Sequence, residues 1–285
     1  MTRIAHLLDA GPTLSFELFP PKTDEAERAL EKCVVELAEM RPSFVSVTYG
    51  ALGSTRERTR DVVLRINAEQ AFPAMPHLTC VGHTKADIAN LLDQYATGGI
   101  ENILALGGDP PSDGSDPGGD YEYAAQLVEQ VRAHSAGFSV GVAAHPEVHP
   151  RSPDRVSDRR HLADKLAMAD FAMTQFFFDV DDYLRLVDEL AALGCDKPVL
   201  PGVMPIASVA GVRRMAAMNG SAIPDPLLER LLAVEAQPEE VAKIGIEAAT
   251  ELCAALLAED VPGLHLYALN RSAAVRQIHT NLGLG

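Results

Sequence analysis

NILAL at 102–106, GGDPPSDGSDPGGD at 107–120 and YEYAAQLVEQVRAH at 121–134 read as strand, loop and helix. The first run is short, apolar and bounded by turn residues, which suits a buried strand. Glycine, proline and aspartate in the middle break regular structure. Helical spacing of apolar residues then follows. The same order recurs on both sides. Upstream, strands at Leu14–Phe19, Phe44–Thr48 and Met75–Val81 precede helices at Asp24–Met40, Arg56–Glu69 and Thr84–Thr97. Downstream, strands at Phe138–Ala143, Phe171–Phe177, Val199–Val203 and His265–Leu269 are each followed by helical sequence. That sequence covers Asp154–Ala169, Val180–Leu193, several helices between Ser208 and Glu259, and Ser272–Leu282. Eight strand–helix units in this length predict an α/β fold, a closed (β/α)8 barrel forming a single domain over 1–285. A doubly wound sheet also alternates but fits eight parallel strands less well.

The chain has 285 residues, with 24 Lys plus Arg against 40 Asp plus Glu, a formal charge of −16. That balance disfavours nucleic acid, whose phosphates are held by Lys and Arg, and an anionic membrane surface. No stretch approaches the roughly 20 apolar residues of a spanning helix. The start, Met1 to Asp9, lacks a signal-peptide pattern. Cys33, Cys80, Cys195 and Cys253 are scattered, without a Cys-x-x-Cys pair. This predicts reduced thiols in a cytoplasmic protein rather than disulfides or zinc. No self-association motif is readable, and an oligomer stays open.

Barrel enzymes place their chemistry at the C-terminal ends of strands. Unusual polar residues fall there on seven of the eight: Glu17; Thr48 and Tyr49; His77; Asp109; His145, Glu147 and His149; Gln175; Asn270 and Arg271. Glu17 is flanked by Phe16, Leu18 and Phe19. It is either a solvated strand-face carboxylate or a buried one, whose pKa desolvation would raise toward general-acid use. Asp109 is a turn residue or a site carboxylate. Gln175 is a satisfied core amide or a reader of a ligand's amide edge. Asn270-Arg271 caps a helix or binds a carboxylate. The separate histidines suit hydrogen bonding or packing better than a metal, and none is expected. No Gly-x-Gly-x-x-Gly fingerprint or phosphate loop is present.

SFELFPPK at 15–22, FVSVTYGA at 44–51, PHLTC at 76–80, AHPEVHP at 144–150, TQFFFD at 174–179 and LNR at 269–271 carry a resemblance over nearly the whole chain. In this order the sequence resembles the methylenetetrahydrofolate reductase family, in its short bacterial catalytic form. The resemblance implies a (β/α)8 barrel that binds FAD and takes a hydride from NADH or NADPH. It implies reduction of 5,10-methylenetetrahydrofolate to 5-methyltetrahydrofolate. Glu17 then matches the general acid that opens the methylene bridge. Asp109 matches a carboxylate beside flavin and pterin, Gln175 a residue contacting both alternating ligands, and Arg271 a folate contact. Thr48, Tyr49, Ala51, His77, Gly108, Ala124, His149, Asp158 and Lys165 match flavin contacts.

Some positions depart from the family pattern. Gly107 stands where the family has an arginine that helps hold FAD. His145 replaces a tyrosine beside the flavin, Asp164 a basic residue near the diphosphate, Met215 an aromatic and Gly211 a glutamine. Losing a bidentate cation predicts weaker FAD retention. It leaves direct hydride transfer from NADH to the folate as an alternative route, and a non-catalytic folate-binding homologue as an alternative class. NADH is preferred over NADPH because no basic pair suits a 2′-phosphate.

Overall fold

In the computed structural model, residues 2–49, 56–109, 115–116, 118–134 and 136–284 are described. Their strands form one parallel sheet in the order β7-β6-β5-β4-β3-β2-β1-β9-β8. In chain order the strands are β1 (Thr13–Leu18), β2 (Phe44–Val47), β3 (Ala74–Thr79), β4 (Asn102–Leu106), β5 (Ser139–Ala144), β6 (Phe171–Thr174), β7 (Val199–Leu200), β8 (Gly202–Val203) and β9 (Gly263–Tyr267). β7 and β8 are halves of the Val199–Val203 run, split at Pro201, which has no N–H for a ladder. β7 pairs with β6 and β8 with β9, so this interrupted strand brings the two edges of the sheet together. Eight strand positions thus form the barrel.

Alternation sorts the side chains, because successive residues of a strand face opposite sides. On β1, Phe16 and Leu18 join the core under the outer helices, with Leu78 of β3 and Leu264 and Leu266 of β9. Ser15 and Glu17 therefore face inward. Phe44, Met75, Leu104, Phe171, Met173 and Leu200 fill the lower interior. Gly141 makes room there, since a Cβ would lie 2.6 Å from the Phe171 ring.

The helices match the sequence reading, with one addition. The segment between Ser208 and Glu259 forms the several helices expected, α8 (Val209–Asn219), α9 (Asp225–Ala233) and α10 (Pro238–Ala258). The addition is α1 (Ile4–Ala10), which periodicity alone did not disclose. Its Ile4 is fully buried and joins the lower interior cluster. The Ile4 amide donates to Asn102 Oδ1 at 2.7 Å and the Ala5 amide to Ser139 Oγ at 3.2 Å. These side chains stand at the starts of β4 and β5, so α1 stoppers the end of the barrel away from the strand C-termini.

Candidate active site

A cavity of about 350 Å³ opens at the C-terminal ends of the strands. That lies within the range of small-molecule sites, about 300–1,000 Å³. Glu17, Thr48, His77, Asp109, His145 and Gln175 all line it. The barrel therefore brings together six of the residues expected from sequence. His265, Tyr267 and Met215 line it as well.

Glu17 is 7% exposed. Its Oε2 lies 3.6 Å from His77 Nε2 and 3.7 Å from His265 Nε2. Both nitrogens are buried with no hydrogen-bond partner among the described residues. Burial lowers the His77 imidazole to about 4, against the opposing pull of Glu17. At neutral pH the His77 contact is thus a neutral imidazole facing a carboxyl group, not an ion pair. His265 Nδ1 shares a 2.8 Å hydrogen bond with Ser15 Oγ, whose single proton can go to that nitrogen or to the Leu264 carbonyl at 3.3 Å. Which way the Ser15 hydroxyl points sets the His265 tautomer, and so whether Nε2 offers Glu17 a proton or a lone pair.

Tyr267 closes this cluster from β9. Its hydroxyl donates to the Thr174 carbonyl at 3.2 Å and to Gln175 Oε1 at 3.4 Å. Burial, with Glu17 nearby, pushes its pKa well above the ordinary value, so it stays a donor. The Phe176 amide also donates to Gln175 Oε1, at 3.0 Å. With its oxygen engaged, Gln175 lines the cavity with its amide N–H pair left to donate.

His265 and Tyr267 were missed by sequence reasoning. The signal was their spacing: they alternate on one strand face as Ser15 and Glu17 do on the neighbouring strand, with Ser15 opposite His265 and Glu17 opposite Tyr267.

The loop after β5 carries the other titratable groups. His145 and His149 meet edge to face, with ring centroids 4.5 Å apart. Burial, reinforced by His149, lowers His145 to about 3, so its ring is neutral. Asp158, at the start of α6 (Arg155–Met168), accepts from the His149 amide at 3.2 Å and Ser152 Oγ at 2.8 Å. Its other oxygen takes Arg159 Nη1 at 2.6 Å. Arg159 is 2% exposed and also donates to the carbonyls of His145, Pro146 and Glu147. This pair, of which Arg159 was not foreseen, fixes the loop. Lys165 Nζ donates to the Ala143 carbonyl at 2.9 Å, and burial lowers its pKa to about 8 despite Asp158.

Other expected residues stand apart from the cavity. Arg271 is exposed, two residues past the cavity-lining Leu269. Its neighbour Asn270 accepts from the Phe19 amide and donates to its carbonyl, both at 2.9 Å, which ties β1 to β9. Tyr49 hydrogen-bonds His83 Nε2 at 3.0 Å behind the rim. Ala124 begins α5 (Ala124–Ala133). Gly108 has φ +87°, and a Cβ there would sit 2.4 Å from Val81 Cγ1, so only glycine fits that turn. Ala51 lies outside the described residues. Among the described residues no cluster of His, Cys, Asp and Glu could hold a metal, and no helix is long and apolar enough to cross a membrane.

A (β/α)8 barrel with a buried carboxyl, imidazoles and an amide gathered in a cavity at the C-terminal ends of its strands has the make-up of a barrel enzyme. The family model described as methylenetetrahydrofolate reductase matches residues 3–283, and the chain belongs to that family. It is 35% identical over 272 residues to 5,10-methylenetetrahydrofolate reductase of Pectobacterium carotovorum, covering 95% of this chain and 90% of the relative. The Arabidopsis thaliana protein named methylenetetrahydrofolate reductase (NADH) 1 is 35% identical, with 99% of this chain aligned to 50% of its length. A Clostridium thermocellum structure, described as binding two copies of 5-methyl-5,6,7,8-tetrahydrofolic acid, shares the fold with TM-score 0.66 at 12% identity, covering 96% of this chain and 94% of that one.

Proposed function

We propose that this site reduces 5,10-methylenetetrahydrofolate to 5-methyltetrahydrofolate, with NADH as hydride donor and FAD as resident cofactor. The observation that carries the reading is Glu17, held on the cavity floor between His77 and His265 and facing Asp109 and Gln175 across the same space. When the methylene bridge opens, the bond from the one-carbon unit to N10 breaks and N10 keeps the electron pair. Glu17 supplies the proton N10 then needs, and the cationic iminium left at N5 accepts the hydride. His265 and His77 flank the Glu17 oxygen at 3.7 and 3.6 Å. Gln175 and Asp109 orient the ring that carries the one-carbon unit.

The residues present fit a flavin. Thr48, Asp109 and His145 line one cavity with His77, whose buried Nε2 has no hydrogen-bond partner among the described residues. The Lys165 ammonium lies just behind Ala143 on that wall. When bound, FAD supplies hydride exchange, first with the nicotinamide and then with the one-carbon unit.

A second route, direct hydride transfer from NADH to the folate, is favoured by Asp164. This exposed carboxylate one residue before Lys165 opposes a diphosphate. Two readings test the proposal. Purified protein that keeps a visible flavin band after added FAD and desalting, with ping-pong kinetics, supports the flavin route. Colourless protein that still turns over sequentially supports direct transfer, and colourless, inactive protein defeats both.

A further inference from the structure

Arg151 is an exposed residue on the loop between β5 and α6, two residues past His149. Its guanidinium lies over Gly107, the first residue after β4. A Cβ built on Gly107 would meet Arg151 Nη2 at 3.4 Å and, among the described residues, nothing else within 4 Å. The guanidinium therefore reaches the space beside Gly107 where a side chain at that position would begin. The Arg151 main-chain amide donates to His149 Nδ1 at 3.0 Å, but no ion pair or hydrogen bond engages its guanidinium among the described residues. The nearby carboxylate of Asp158 is already occupied by Arg159, Ser152 and the His149 amide. His149 feels Arg151, Lys165, Asp158 and Asp109 together, which places both cations around one imidazole. Asp109 after β4 and, on the β5–α6 segment, Asp154 and Asp164 are exposed carboxylates. In a chain of net charge −16, a guanidinium unpaired among the described residues, acting on the same imidazole as the Lys165 ammonium, is suited to an anion.

We propose that Arg151 grips the diphosphate of a dinucleotide, supplying from the β5–α6 loop the cation that the family carries on the residue after β4. The proposal rests on the reductase reading above. A guanidinium suits the role because its fork can engage two phosphate oxygens at once. The β5–α6 loop can present it rigidly because Arg159 fastens three carbonyls of that loop. FAD and NADH share the diphosphate chemistry, and binding measurements separate them.

The experiment is equilibrium binding of FAD, NADH and ADP, with riboflavin as a phosphate-free control, at low and moderate salt. It compares the wild type with Arg151→Ala, Arg151→Lys and the double variant Arg151→Ala/Gly107→Arg. Melting curves confirm that each variant folds. We expect Arg151→Ala to weaken the diphosphate ligand about ten- to a hundredfold and to flatten its salt dependence. Riboflavin should be unaffected, Arg151→Lys should retain part of the affinity, and the double variant should regain most of it. Loss confined to FAD assigns the grip to the flavin, and loss confined to NADH assigns it to the nicotinamide cofactor. Unchanged affinity for all three ligands overturns the role of Arg151 while leaving the reductase reading intact. A wild type that binds neither FAD nor NADH defeats the reductase reading instead. ADP binding then still decides Arg151, and no ADP binding, or binding indifferent to Arg151→Ala, overturns it.

Discussion

His77 is buried and His145 half-buried, and both are neutral, near 4 and 3 against an ordinary value of 6.5. In the unfolded chain both take a proton as the pH falls below 6.5, whereas in the folded chain they resist until about 4 and below. The unfolded state thus binds more protons across that window, and stability falls as pH falls through it. Melting temperatures should therefore drop between pH 7 and 4, and His145→Gln should lessen the drop. A slope identical to wild type would contradict the burial argument. Lys165 works in a different window. Its folded value is about 8 against 10.5 unfolded, so its burial costs stability below pH 8 and the cost is relieved as pH rises toward 10.5. Glu17 was readable from sequence because a charge inside an apolar strand is anomalous. His265 and Tyr267 were not, because a histidine and a tyrosine in a strand are ordinary residues until the strand's neighbour is known. Register alone puts them beside Glu17.

Strand and helix order was legible because alternation within strands and helical spacing between them are local properties. Arg56–Glu69 and Asn102–Leu106 coincide with the expected bounds, and most others shift by only a few residues. α1 escaped because seven residues carry too little periodicity, and its anchors, Asn102 and Ser139, are distant in sequence. Ile4→Ala should leave a cavity in the lower interior and lower stability by about 2–4 kcal/mol. Denaturant titration checks this, and a change below about 0.5 kcal/mol would mean that α1 is not packed as described. α10 rests on the stretch after β8 through Gly245, where a Cβ would fall 2.1 Å from the Ile206 carbonyl oxygen. That contact is with backbone and cannot swing away. Gly245→Ala should cost about 1–3 kcal/mol by overpacking, despite alanine's better helix propensity. A stabilised variant would show that the helix is free to move out.

At the scale of the whole molecule, the barrel gathers groups that no local pattern links. Glu17, His77 and His265 come from β1, β3 and β9, whereas Arg159 and Lys165 act from a helix behind the rim. The resemblance supplied roles for single positions. It could not supply the way Asp158 is consumed by its own loop, or the way Arg151 reaches over Gly107, because both depend on loop paths. The most direct test of the central claim is to measure 5-methyltetrahydrofolate formed from 5,10-methylenetetrahydrofolate and NADH by wild type and Glu17→Gln, with added FAD and with folate binding measured on both. The expected result is turnover by wild type, a kcat about 10²- to 10⁴-fold lower for Glu17→Gln, and folate affinity changed by no more than a few-fold. Product formed by Glu17→Gln at the wild-type rate, or no product from a wild type that binds folate, would contradict the account.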